Sequence, residues 1–429
     1  MDIIEKDKYF LPCVKRMYIE EPIVLVKGEG ATVIDSTGRE YIDTFTSHGA
    51  NFLGHCHPKV VAALKDQLEK LTLYGYDIHT LPVTKLAEKL IQIAPSPMKK
   101  CYFTNAGTEA VECSLYLARK YTKKYEVIGL YGGFHGRTYG SRSILGWAAL
   151  KQGMGPFLPG FTHVPSYYCY RCSLNLEYPE CNLQCAKMLE DALKYQCSGD
   201  VAAFIAEPVQ GTAGNIPAPD GYFKEVKKIL DAYNILFIDD EVFTGLGRTG
   251  KMFGIEHYGV KPDIMIVGKA LGGGTPIAGL MASEEVASAF AVAETLYYTT
   301  YGGNPLCCAA ALESINVILE EKLDERAARL GEYFLKQLKE LAEKYELIGD
   351  VRGKGLFIGV ELVKDRETKE PAREESIRLR YETKRRGVIL GAGMGWFGNT
   401  IRFNPPAVIT EEQIDKVIEV LEASLKAIR

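Results

Sequence analysis

Apolar residues recur at helical spacing in four stretches, VVAALKDQLEKL (60–71), VTKLAEKLIQIA (83–94), EAVECSLYLARKY (109–121) and YFKEVKKILDAY (222–233), and each predicts an amphipathic helix. Between them stand short, nearly unbroken apolar runs: VIGLY (127–131), VAAFIAE (201–207), ILFIDD (235–240) and DIMIVGK (263–269). Such runs are typical of parallel strands buried on both faces. The alternation predicts an α/β unit around a parallel sheet, covering about residues 55–310.

After residue 310 the pattern changes. Residues 306–346 read as one long helical stretch, followed by strand-like GLFIGVELV (355–363), helical ESIRLRYETKRRG (375–387), strand-like TIRFN (400–404) and a last helix. Thr410 and Gln413 have the spacing of a capping box that would start that helix. A smaller α+β unit is expected over 311–429, with the opening segment 1–54 and its strand-like IVLVKGEGATVIDSTGREYID (23–43) packed onto it.

Composition narrows the partners. The net charge of -4 gives no electrostatic footprint for nucleic acid or an anionic membrane, and no apolar run is long enough to span a bilayer. A soluble, cytoplasmic protein is expected. Of the eleven cysteines, four fall together: Cys169 and Cys172 form a C-x-x-C, followed by Cys181 and Cys185. Such a cluster could hold a structural zinc, form two disulfides, or stay as free thiols.

Ligands of open parallel sheets collect at the carboxyl ends of the strands. Three of the runs end there in charged residues, Glu207, Asp240 and Lys269, which predicts two carboxylates and an amine facing one crevice. A lysine desolvated in such a place can form a Schiff base. Pyridoxal 5'-phosphate is the cofactor that most often asks for one, and it also needs a carboxylate to keep its pyridine nitrogen protonated. Asp240 could supply it. Gly107 and Thr108, in TNAGTEAVECSLYLARK, stand at a helix start suited to a phosphate. The G-x-G-x-x-G in FIDDEVFTGLGRTG (237–250) raises the rival reading of a dinucleotide-binding oxidoreductase. Its glycines do not open a helix, so they read as loop. A non-catalytic binding protein would have no use for the charged set.

Taken together, GHCHPKV (54–60), TNAGTEA (104–110), GGFHGRTYG (132–140), AEPVQG (206–211), DDEVFTGLGRTG (239–250), VGKALGGGTP (267–276), TTYGGNP (299–305) and IRFNPPAVI (401–409) resemble, in order and nearly end to end, the class III pyridoxal-phosphate aminotransferases of fold type I. That group includes ornithine, 4-aminobutyrate and alanine–glyoxylate transaminases. The resemblance implies a large α/β domain with a mostly parallel sheet and a smaller α+β domain. It implies Lys269 as the Schiff-base lysine and proton shuttle, Asp240 as the partner of the pyridine nitrogen, and Phe134 as the aromatic stacked on the cofactor. His135, Gly107 and Thr108 belong to the same cofactor-binding set. Thr300 matches a threonine that reaches the neighbouring subunit's phosphate, which implies a homodimer.

For the substrate, Arg402 resembles the α-carboxylate arginine, and Glu207 the acid that pairs with it when a donor brings no α-carboxylate. Arg137 stands where 4-aminobutyrate transaminases bind a distal carboxylate. His48 replaces a tyrosine of ornithine transaminases, which weakens ornithine as a substrate. Phe243 replaces a common glutamine whose amide contacts the cofactor ring; Gln210 is the substitute the sequence offers. Ala106 replaces a hydroxyl residue before the phosphate turn. The implied reaction is ping-pong amino transfer from an amine-bearing donor, with an ω-amino acid favoured, to a small 2-oxo acid such as pyruvate, glyoxylate or 2-oxoglutarate. The alternative on the same scaffold is an amino-acid racemase or epimerase.

Overall fold

The computed structural model describes residues 4–11, 13, 16–291 and 297–428. Its centre is a seven-stranded sheet in the order Lys100–Thr104, Ala278–Ala282, Ile264–Val267, Leu236–Glu241, Val201–Ala206, Glu126–Leu130 and Phe161–Val164. The last five strands pair in parallel, and Ala278–Ala282 runs antiparallel to both its neighbours.

Period-two alternation along these strands builds two buried layers. Ile205, Ile238 and Ile266 join Ala110, Val111 and Leu117 of the helix Gly107–Thr122 in one core. Phe204, Phe237 and Met265 point the other way, into a core shared with Phe223 and Leu230 of the helix Tyr222–Ala232. Both faces are therefore covered by helices, which is why the strands read as continuous apolar runs.

A four-stranded antiparallel sheet follows, in the order Ile348–Lys354, Phe357–Leu362, Thr400–Phe403 and Gly391–Met394. Glu40–Asp43 of the opening segment pairs in parallel with Val388–Ile389. The last helix, Glu411–Ala427, starts at the predicted box: Gln413 N–H donates to Thr410 Oγ1 at 3.2 Å, and Thr410 N–H to Gln413 Oε1 at 3.1 Å.

One sequence expectation changes. The single long helix over 306–346 is two, Pro305–Glu320 and Leu323–Lys344, broken where Lys322 takes φ 49°. Residues 245–250 form turns; Gly247 and Gly250 have φ of 93° and 89°, and only a short 3-10 turn, Gly254–His257, follows. All eleven cysteines are free thiols. Cys169, Cys172, Cys181 and Cys185 do line one small void of about 10 Å³, but no three metal donors are grouped for an ion among the described residues. No helix among those residues is long and apolar enough to cross a membrane.

Candidate active site

Register explains why three distant charges meet. Asp239 lies opposite Ala206 and Asp240 opposite Ile266, so the adjacent parallel strands deliver Glu207, Asp240 and Lys269 to the same edge. All three line a cavity of about 620 Å³, together with Gly107, Thr108 and Phe134. A second cavity of about 750 Å³ shares Lys269, Phe134 and Thr108 and continues outward to His48, Arg137 and Arg402. The two form one connected site.

Strand alternation also separates the three consecutive acids. Asp239 and Glu241 turn away from the cavity, and both are buried. Burial and the neighbouring acids push the Asp239 carboxyl well up. Asp240 faces the cavity. Its Oδ2 lies 2.7 Å from His135 Nδ1, and its Oδ1 accepts from Val242 N–H at 3.1 Å. His135 is itself buried, with no partner for Nε2 among the described residues.

Lys269 is partly buried in the wall shared by the two cavities and has φ 43°, a left-handed conformation that a lysine takes only under constraint. Burial lowers its ammonium from 10.5 to about 8, against the opposing pull of Asp240 and Glu207. Its Nζ sits 4.1 Å from the centre of the Phe243 ring. Phe243 fits because glycines flank it: a Cβ at Gly49 would stand 2.5 Å from its ring, and one at Gly211 2.6 Å. Gln210 does not take over the role of the missing glutamine amide. It is buried outside both cavities, donating to Tyr131 O at 2.9 Å and accepting from Ser166 at 2.7 Å.

The helix Gly107–Thr122 opens with no side-chain cap from Ala106, so its first N–H groups stay available for an anion at the cavity. Thr108 Oγ1 is engaged with Thr138 and Ser141, each at 2.8 Å. An uncapped helix start, a buried amine of lowered proton affinity and a carboxylate held by histidine, all on one cavity, fit pyridoxal phosphate.

Glu207 and Arg402 do not form the expected ion pair. Both Glu207 oxygens accept backbone N–H groups, from Phe134 at 3.0 Å and Gly211 at 2.9 Å, while burial raises its carboxyl to about 7. Arg402 instead donates to Gly211 O at 3.1 Å and to His48 Nδ1 at 3.0 Å. Arg137 is exposed at the outer cavity, its guanidinium 5.8 Å from the Phe134 ring centre. Thr300 is exposed and lines neither cavity.

Sequence reasoning missed two features. Arg248, inside the glycine loop, is fully buried and donates to the carbonyls of Gly49, Leu356 and Pro405. Trp147, Trp396 and Phe397 wall the outer cavity, and Arg171 holds Phe397 from behind at 4.8 Å. A buried arginine among loop glycines carries no local signal. The tryptophans, the only two in the chain, were a signal left unused.

The family model for class-III aminotransferases matches residues 14–425. A leucine/methionine racemase of Thermococcus litoralis is 40% identical, over 99% of this chain and 95% of that protein. An acetylornithine aminotransferase of Methanopyrus kandleri is 38% identical, covering 98% of each. Among solved structures, the omega transaminase from Pseudomonas jessenii in complex with PMP superposes with a TM-score of 0.93 at 31% identity, over 100% of this chain and 98% of that one. With site and sequence agreeing over nearly its whole length, the chain belongs to the class III aminotransferases, enzymes of fold type I that depend on pyridoxal 5'-phosphate.

Proposed function

We propose that the enzyme moves an amino group from an amine-bearing donor to a small 2-oxo acid, of the pyruvate, glyoxylate or 2-oxoglutarate kind, in a ping-pong cycle. The observation that carries this reading is the buried amine of Lys269 at the junction of a cofactor-sized cavity and an arginine-bearing one. Pyridoxal phosphate, when bound, supplies the electron sink that makes the substrate's α-proton labile.

The chain's own groups do the rest. Lys269, its ammonium lowered to about 8, would move a proton to and from the substrate carbon through Nζ. Asp240, oriented by His135, is the carboxylate that would keep a proton on the pyridine nitrogen. The first N–H groups of Gly107 and Thr108 hold the phosphate. Glu207 fixes the backbone of Phe134, whose ring would pack on the cofactor. Arg402 binds the α-carboxylate. Arg137 binds a distal carboxylate, since the outer cavity is lined by arginines and by no acid among the described residues. Thr300 completes the phosphate site of a second copy in a homodimer.

The test is Lys269→Ala, which is expected to lose both the visible absorbance of lysine-bound cofactor and all amino transfer. Continued turnover would end this reading.

A second reading, amino-acid racemisation or epimerisation, is supported by the racemase of Thermococcus litoralis at 40% identity. Single enantiomers supplied without any 2-oxo acid separate the two: inversion at the α-carbon supports the isomerase, and silence supports transfer.

A further inference from the structure

Arg402 carries a buried positive charge with no acid on it. Its side chain is buried; Nη1 donates to Gly211 O at 3.1 Å, Nη2 to His48 Nδ1 at 3.0 Å, and Nε has no partner among the described residues. Glu207 is committed to the N–H groups of Phe134 and Gly211. His48 is exposed on the wall of the outer cavity, yet partial desolvation and the nearby charges of Arg402, Lys269 and Arg137 lower its imidazole to about 4. Because a guanidinium can only donate, Nδ1 meets the arginine as an acceptor.

The backbone is built to present that histidine. Thr46, Ser47, His48 and Gly49 have φ of 47°, 51°, 59° and 75°, one left-handed turn of which only the last residue is glycine. L-residues avoid this region, and such strain persists only where the surroundings enforce it. Here Asp43 Oδ1 accepts from the N–H groups of Phe45 at 2.9 Å and Thr46 at 2.8 Å. Thr46 Oγ1 donates to Asn404 O at 2.7 Å, and Arg248 donates to Gly49 O at 3.1 Å.

We propose that His48 is a specificity-determining residue: by resting on Arg402 as a neutral placeholder, it makes the site select substrates that carry a carboxylate on the reacting carbon in both half-reactions. The preferred donors are then α-amino acids rather than amines lacking that carboxylate. The inference rests on the amino-transfer reading. An unpaired buried guanidinium is costly, and an incoming carboxylate offsets that cost through a charge-assisted fork. A neutral imidazole yields the position without an ion pair being broken. An amine without a carboxylate leaves the charge as it was.

The experiment compares matched donors in which a methyl replaces the carboxylate: alanine against isopropylamine, and phenylglycine against 1-phenylethylamine, both enantiomers where they exist, with 2-oxoglutarate as acceptor throughout and pyruvate added only for the phenylglycine pair. Wild-type kcat/KM is expected to favour the carboxylate member by about 10- to 150-fold, the range that hydrogen bonds to a charged group span. His48→Glu is expected to pair with Arg402 and reverse the order, mainly through the KM of the amino acid. His48→Asn keeps a neutral acceptor, tolerates the left-handed φ, and is expected to restore the wild-type order. Wild-type preference for the amines, or a ratio that His48→Glu leaves unmoved in folded, cofactor-loaded protein, overturns the proposal while amino transfer stands. Absence of transfer from every donor instead overturns the reading beneath it.

Discussion

Replacing Lys269 by methionine is expected to stabilise the cofactor-free protein at neutral pH while destroying its activity. The lysine is partly buried and its proton affinity falls from 10.5 to about 8, desolvation outweighing the attraction of Asp240 and Glu207. At 1.36 kcal/mol per pH unit that difference corresponds to about 3 kcal/mol against folding while the unfolded lysine is charged. The sign follows from proton counting. Between pH 8 and 10.5 the unfolded chain holds a proton on this amine that the folded chain has released, so the penalty shrinks as pH rises through this window. Lys269→Met keeps similar length and apolar bulk but removes the charge. Urea unfolding of both cofactor-free proteins, from pH 7 to 10.5, isolates the effect because every other titrating group is common to the pair. The variant is expected to be more stable by about 3 kcal/mol at pH 7, with the gap closing towards pH 10.5. A gap independent of pH, or a wild type more stable at pH 7, refutes the claim that desolvation governs this amine.

Asp240→Asn removes a charge fixed by His135 and should lower kcat by about 100-fold or more, as loss of a preorganised electrostatic partner does; stopped-flow half-reactions would measure it. Arg248→Met strands the carbonyls of Gly49, Leu356 and Pro405, so a loss of about 3 kcal/mol in chemical unfolding is expected, with a raised KM because the His48 turn loosens. Gly211→Ala puts a methyl 2.6 Å from the Phe243 ring and 3.0 Å from Phe357, and should cost about 1–3 kcal/mol of stability in the same assay.

The buried strands were legible because parallel strands covered on both faces must be apolar throughout, as VAAFIAE and DIMIVGK are. The charged ends of those runs then located the cavity. KCYFT, FTHV, AGLMA and IGDVRGK, all strands in the fold, are short or rich in glycine and charge and gave no such signal. The break at Lys322 was hidden for a similar reason, since both flanking stretches keep helical spacing and the backbone reversal rests on one residue. Pairings in the site were hidden by distance along the chain. His48 and Arg402 stand 354 residues apart, and no local pattern ties them. The same holds for Glu207, whose oxygens are claimed by N–H groups that only the folded loops bring near. Motif order could suggest which residues share a cavity; which of them pair is decided by backbone geometry.

The most direct test is borohydride reduction of the resting holoenzyme followed by peptide mass mapping. The account predicts cofactor fixed to Lys269, loss of that reducible attachment after incubation with an accepted donor alone, and its return on adding a 2-oxo acid. Cofactor fixed to another lysine, or an attachment indifferent to a donor that the enzyme turns over, would contradict it.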